Sequence, residues 1–212
     1  MLRRILIAFC LCFALIQMAW AGTYDDAAAA AQKRQYDKAL VLFQKAINEN
    51  DDARAYNSLG TLYEMGLGVP QDYATAAKYY EQAVKRGNVK ANGNLAVLYE
   101  RGLGVKHDWG KAMGYYFNGL NRGDGKSMNN LGVMALNGEI LPKNISVAWA
   151  LFASAAILKD REAPHNLAVV ETRMTKAEIE QGKVVFKALH QVKSKKPPMD
   201  IMLDYLGWHD YE

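Results

Sequence analysis

Two glutamates, Glu64 and Glu100, occupy the same place in two near-copies of one stretch. The copies are "YEMGLGVPQDYATAAKYYEQA", Tyr63–Ala83, and "YERGLGVKHDWGKAMGYYFNG", Tyr99–Gly119, thirty-six residues apart. Carboxylates one packed helix apart, about 10 Å, suit acid–base work around a sugar. Solvated helix charges account for the pair equally well. Other chemistry is sparse. The serines Ser58, Ser127, Ser146, Ser154 and Ser194 lie in no G-x-S-x-G, and none has a lysine three residues on. His107, His165, His190 and His209 form no H-E-x-x-H and no pair at ligand spacing, so no metal site is expected. His107, beside Asp108, reads as a solvated loop histidine. The glycines of "GLGV" belong to no G-x-G-x-x-G after a strand and precede no G-K-[ST], which argues against a phosphate cradle. A net charge of +4 with lysines and acids interspersed is too small for a nucleic-acid or membrane-surface footprint. The expectation is a non-enzyme without cofactor or metal.

The elements that carry these residues follow from the repeat. A third copy is reached by adding the period again. Leu59 and Leu95 lead to Leu131, Gly60 and Ala96 to Gly132, Gly66 and Gly102 to Gly138. Asp72 and Asp108 lead to Asn144, Ala76 and Ala112 to Ala148, Tyr80 and Tyr116 to Phe152. The match erodes where Gly104 becomes Ile140 and Gly123 becomes Lys159. A fixed period in the thirties marks a solenoid. Each unit parses as helix, loop, helix. Ala55, Leu59, Gly60 and Tyr63 make one stripe on the first helix. The small residue at Gly60, Ala96 and Gly132 lowers helix propensity, by up to about 1 kcal/mol for glycine, and its repetition predicts close helix–helix approach. Gly66 and Gly102 are placed to stop the first helix in a left-handed conformation. Asp72, Asp108 and Asn144 stand as N-caps of the second helix, which buries Ala76, Tyr79, Tyr80 and Ala83. Gly87 and Gly123 end it.

The ends read differently. "MLRR", the apolar run "ILIAFCLCFALI" and the exit "AWA" have the layout of a secretory signal peptide, with cleavage expected after Ala21. Both cysteines, Cys10 and Cys12, fall inside it, so the mature chain would hold no disulfide and no thiolate. An uncleaved anchor is the alternative. "APHNLAVVETRM" resembles one more first helix, with Leu167 at the Leu131 position. "TKAE", Thr175–Glu178, forms a capping box for a closing helix through about Val192. "KSKKPP", Lys193–Pro198, reads as a linker, and the tail beyond it carries Tyr205, Trp208 and Tyr211. That tail either packs back on the repeats or serves as a recognition peptide. The formal sequon Asn144-Ile145-Ser146 competes with the capping role of Asn144.

"LGTLYEMGLGVPQDYATAAKYYEQAVKRG" and "LAVLYERGLGVKHDWGKAMGYYFNGLNRG" resemble Sel-1-like repeats, a family related to tetratricopeptide repeats, and "LGVMALNGEILPKNISVAWALFASAAILKD" is a degenerate third copy. "QYDKALVLFQKAI" resembles the second helix of a tetratricopeptide repeat. The resemblance implies an all-α, right-handed α/α solenoid. Its organisation would be a signal peptide at 1–21, an N-terminal tetratricopeptide-like hairpin at 22–51 and repeats at 52–87, 88–123 and 124–159. Capping helices at 160–192 and a linker with an aromatic tail at 193–212 complete it. In such solenoids the first helices line a concave groove. The resemblance therefore implies columns of groove residues: Arg54, Lys90 and Lys126; Asn57, Gly93 and Asn129; Thr61, Val97 and Val133; Glu64, Glu100 and Leu136. A cationic column beside amides suits an acidic peptide or a chain-terminal carboxylate. The expected function is an exported, periplasmic or secreted scaffold that binds a protein or peptide, in regulation or as an immunity protein that neutralises a toxin. The alternatives are a hydrolase of cell-wall sugars or peptides and a structural subunit of an envelope assembly. Nucleic-acid binding and stable membrane insertion after cleavage are not expected.

Overall fold

The structure is a computed structural model that describes residues 22–191 and 196–208. The expected leader with both cysteines, the stretch 192–195 that holds the end of the expected closing helix and the start of the expected linker, and Tyr211 lie outside the described residues. The described residues form eleven helices and no strand. They are α1 (22–32), α2 (Tyr36–Asn50), α3 (Ala53–Met65), α4 (Tyr73–Lys85), α5 (Lys90–Arg101), α6 (Trp109–Arg122), α7 (Gly125–Asn137), α8 (Ile145–Ile157), α9 (Ala163–Glu171), α10 (Lys176–Leu189) and α11 (Pro198–Leu206). This is the expected α/α solenoid. The chain divides into two compact units. One runs to Asn88 and takes in Leu103–Val105; the other holds Val89–Gly102 and the chain from Lys106 on.

In the first unit Ala27, Ala30, Ala39, Phe43, Ala46, Ala55, Leu59 and Leu62 share one core. The small residues let helices approach closely. A Cβ on Gly60 would lie 2.6 Å from the Tyr80 ring, which accounts for glycine in mid-helix. Tyr63 is only half-buried and stacks on Tyr79 at 5.5 Å between ring centroids; Leu62 takes the buried place instead. α3 stops at Gly66, whose φ is 66°, and the Leu67 amide bonds back to the Leu62 carbonyl at 2.9 Å. Asp72 caps α4 through the Thr75 amide at 3.0 Å. The second glycine of each "GLG" has a separate task. A Cβ on Gly68 would lie 2.8 Å from Cβ of Tyr36, and one on Gly104 would collide with the backbone of Tyr73 and Ala74. Both allow a loop to sit on the start of a second helix.

In the second unit Gly102 and Gly138 stop α5 and α7 with φ of 65° and 75°. Asp108 and Asn144 cap α6 and α8. Lys159, which replaces the glycine of the earlier copy, keeps its left-handed conformation with φ of 61°. α8 is apolar all round and buried along most of its length, because α7, α9, α10 and α11 all pack on it. Thr175 and Glu178 form the expected capping box of α10. Leu167 of α9 is half-buried, and Val170 supplies the buried contact there. Pro198 opens α11 rather than closing a linker; the helix buries Ile201, Met202, Leu203 and Leu206. It lies against α6, α8 and α10, tied by the Met199 amide to Asn121 Oδ1 at 2.8 Å and by Asn144 Nδ2 to the Tyr205 carbonyl at 3.1 Å. No helix among the described residues is long and apolar enough to cross a membrane.

Candidate functional site

The repeated glutamates are used inside the fold. In the first unit Tyr80 Oη donates to Glu64 Oε2, and in the second Tyr116 Oη donates to Glu100 Oε2. Both tyrosines are fully buried. Burial, reinforced by the neighbouring carboxylate, pushes each hydroxyl far above the usual phenol range. A buried hydroxyl needs an acceptor, and the glutamate supplies it. The third copy replaces both partners together: Leu136 stands for the glutamate and Phe152 for the tyrosine. Thr61 belongs to the same arrangement, its Oγ1 lying 3.2 Å from Tyr80 Oη and donating to the Asn57 carbonyl at 3.2 Å. Glu64, Glu100 and Thr61 are therefore parts of helix–helix joints, each half-buried.

The expected cationic column fares unevenly. Arg54 is exposed, but its Nη2 lies 2.7 Å from Asp52 Oδ2 and its guanidinium sits 4.1 Å over the Tyr24 ring. Partial burial raises the Asp52 carboxyl, and hydrogen bonds from Arg54 outweigh it, leaving the group below the usual carboxylate range. Lys126 is half-buried and donates to Asn94 Oδ1 at 2.9 Å. Lys90 is exposed, with no ion pair to another described residue. Asn57 and Val133 are half-buried. Val97 and Asn129 are buried, and Asn129 Oδ1 accepts from Asn166 Nδ2 at 2.9 Å. Contrary to the groove expectation, these two line no open surface, because α5 packs on α7 and the apolar stripe is wider than four residues per helix. Tyr205 and Trp208 are half-buried, and the α11 that carries Tyr205 lies on second helices and the closing helix, not on first helices.

One polar cluster escaped the sequence reading. Asp124 caps α7, is 3% exposed, and its Oδ2 accepts from Ser127 N at 3.1 Å, Ser127 Oγ at 2.5 Å and Gly93 N at 3.0 Å. Burial pushes its carboxyl up, against the hydrogen bonds. It joins the start of α7 to α5. The signal was available: one period either way stand Asn88 and Asp160, and Asp52 precedes Asn88 by the same step.

One open feature of the first unit is a cleft of about 640 Å³. Leu40, Val41 and Gln44 of α2, Leu59 and Tyr63 of α3, and Val69 and Tyr79 line it. Val41 is 70% exposed. The polar rim holds Asn48 and the Lys45–Glu49 pair at 3.7 Å. Among the described residues no group of three or more His, Cys, Asp or Glu is placed to hold a metal ion. The chemistry on offer at this cleft is apolar contact and amide hydrogen bonding.

A family model of the Sel1 repeat matches residues 17–51, 53–88, 89–124 and 125–160. The stretch expected to be a tetratricopeptide-like hairpin is thus matched as a repeat of the same kind as the others. Among solved structures the chain is similar to a Sel1 repeat protein from Oxalobacter formigenes, with 24% identity, a TM-score of 0.56, and 69% of this chain and 60% of that one covered. It is also similar to c5321, a protective antigen present in uropathogenic Escherichia coli strains displaying an SLR fold, with 20% identity, a TM-score of 0.59, and coverage of 91% and 46%. The chain therefore spans less than two thirds of the length of either protein, and the likeness is one of fold. No curated protein matches the chain.

Proposed function

The chain belongs to the Sel1 repeat family, and we propose that it is a non-catalytic scaffold that binds a protein or peptide partner in a regulatory or toxin-neutralising role. Proteins of this family generally mediate protein–protein interaction and serve as scaffolds. One observation carries the reading for this chain: the two repeated carboxylates that could have made a catalytic pair each accept a bond from a buried tyrosine. What the molecule offers outward is surface. We further propose export, with cleavage after Ala21, and an acidic partner segment that engages Lys90 on α5, which is exposed like Arg54 but, unlike it, has no ion pair to another described residue.

In-cell crosslinking of the tagged chain, followed by mass spectrometry, tests the reading. One protein should be captured by the native chain and lost from Lys90→Glu, with helicity by circular dichroism unchanged. Reversing Lys90 alone is the cleaner test, since Arg54 and Lys126 hold bonds of their own. Capture undiminished in Lys90→Glu would remove Lys90 from the site. Turnover of cell-wall fragments that is lost in a folded Glu64→Gln variant would overturn the non-catalytic reading. A periplasmic product beginning at Gly22 is the expected result of N-terminal sequencing.

A further inference from the structure

Each unit contains the same kind of corner between two second helices, and in the second unit that corner is filled. Aligning α2 with α6 on Ala39/Ala112, Phe43/Tyr116 and Ala46/Gly119 places Leu40 at Met113, Gln44 at Phe117 and Asn48 at Asn121. Two periods carry Val69 to Leu141 and Tyr79 to Leu151. In the second unit α11 packs on α6 and α8, and Met113, Phe117, Leu141 and Leu151 are all buried, none more than 4% exposed. Asn121, the counterpart of Asn48, accepts the Met199 amide of α11. In the first unit the corresponding walls border the open cleft, and no described segment occupies it.

We propose that this cleft is a docking site for one short amphipathic helix of a partner protein, seated as α11 is seated in the second unit. Three features define the occupant. The cleft holds about 640 Å³, room for a few apolar side chains such as the four that the nine-residue α11 buries. Its charges cancel locally, because Lys45 and Glu49 pair with each other. That neutrality matches an apolar helix face with uncharged flanks at the contact rather than an acidic tail or a chain-terminal carboxylate. Asn48 and Gln44 are exposed and bonded to each other, Gln44 Nε2 donating to Asn48 Oδ1 at 3.1 Å, so Gln44 Oε1 and the second lone pair of Asn48 Oδ1 face the first turn of the helix, where backbone N–H groups are unpaired, as Asn121 Oδ1 faces Met199. This is recognition of a helix in a groove through anchors at helical spacing, and it uses residues other than Lys90.

The probe is a labelled peptide of residues 196–208, "KPPMDIMLDYLGW", titrated onto the full chain with its own α11 in place. Fluorescence anisotropy should show saturable binding of one peptide per chain in the micromolar range. Gln44→Glu, at the position where the second unit has the buried Phe117, should weaken it at least tenfold while leaving the melting curve unchanged, since Gln44 is exposed. Lys90→Glu should leave it unchanged, which separates this site from the one in the scaffold reading. A scrambled peptide should not bind. No binding to the full chain overturns the proposal. So does binding that Gln44→Glu leaves intact, or binding seen only after α11 is deleted, which would place the peptide in the α6/α8 corner.

Discussion

Changing Glu64 to Leu and Tyr80 to Phe together writes the third repeat's pair, Leu136 and Phe152, into the first. Each change alone breaks a bond between a hydroxyl and a carboxylate, a class worth about 1.5–3 kcal/mol. Tyr80→Phe leaves Glu64, which is half-buried and can recover water, so the lower end applies, about 1.5 kcal/mol. Glu64→Leu leaves the Tyr80 hydroxyl in a fully buried ring with Thr61 Oγ1 at 3.2 Å as its remaining partner, about 1–2 kcal/mol. Replacing both partners by apolar groups of similar shape is close to neutral. The double variant should therefore lie within about 1 kcal/mol of the native chain, giving a coupling of about 1.5–3.5 kcal/mol. The assay is urea unfolding followed by circular dichroism for the four members of the cycle. Each single variant should also melt about 3–6 °C lower. Additivity within about 0.5 kcal/mol would refute the claim that the glutamate is present for the tyrosine.

Gly104→Ala should destabilise the chain by more than about 2 kcal/mol, through a left-handed φ of 66° and collision with the Tyr73–Ala74 backbone. Gly123→Lys, which copies Lys159 and meets no neighbouring atom within 4 Å, should cost only about 1 kcal/mol in urea titrations. The Asp124 carboxyl is raised on folding, so the folded state holds this proton at pH values where the unfolded state has released it. The stability of the native chain relative to Asp124→Asn should then fall as pH rises from the unfolded carboxylate value through the folded one, measured by melting at stepped pH; a difference that grows with pH would contradict it. Asn144→Asp keeps the cap of α8 but loses the donor to the Tyr205 carbonyl, so protease cleavage after Tyr205 or Leu206 should accelerate while helicity holds. Leu95→Ala, at a fully buried position, should cost about 2–5 kcal/mol.

The architecture was legible because a repeat states its packing rules several times. Helix stops at Gly66 and Gly102, caps at Asp72, Asp108 and Asn144, and the close approach at Gly60 and Gly132 all follow from local rules with a fixed spacing, and the structure has them all. The site was far less legible. Exposure on a helix face depends on what packs there next, and no period states that. Val97 and Asn129 have the same register as Thr61 and Asn57, yet α7 and α9 bury them. Lys126 and Arg54 read as a column of cations, but each finds a local acceptor, Asn94 or Asp52, that the column pattern ignores. The register of Asp52, Asn88, Asp124 and Asp160 is written in the repeat, but the burial of Asp124 comes from the packing of α7 on α5, which no period states.

The fate of Glu64 and Glu100 carries a rule for chains of this kind. A residue that recurs at the repeat period is recruited by a contact that recurs, and in a solenoid the recurring contacts are those between neighbouring helices. Repetition is then evidence for packing first, and the paired loss of Glu and Tyr in the third copy is what packing predicts. A single partner is recognised where the period breaks. Gln44 stands where the second unit has Phe117, and Val41 where it has Gly114; both changes fall on the face of α2 that borders the open cleft. In the second unit the apolar residues of the corresponding corner are buried, and α11, a helix outside the repeats, packs on α6 and α8. A side chain as apolar as Val41, left 70% exposed beside a stacked tyrosine pair, does nothing for the repeat that carries it. It gains free energy only when another surface covers it.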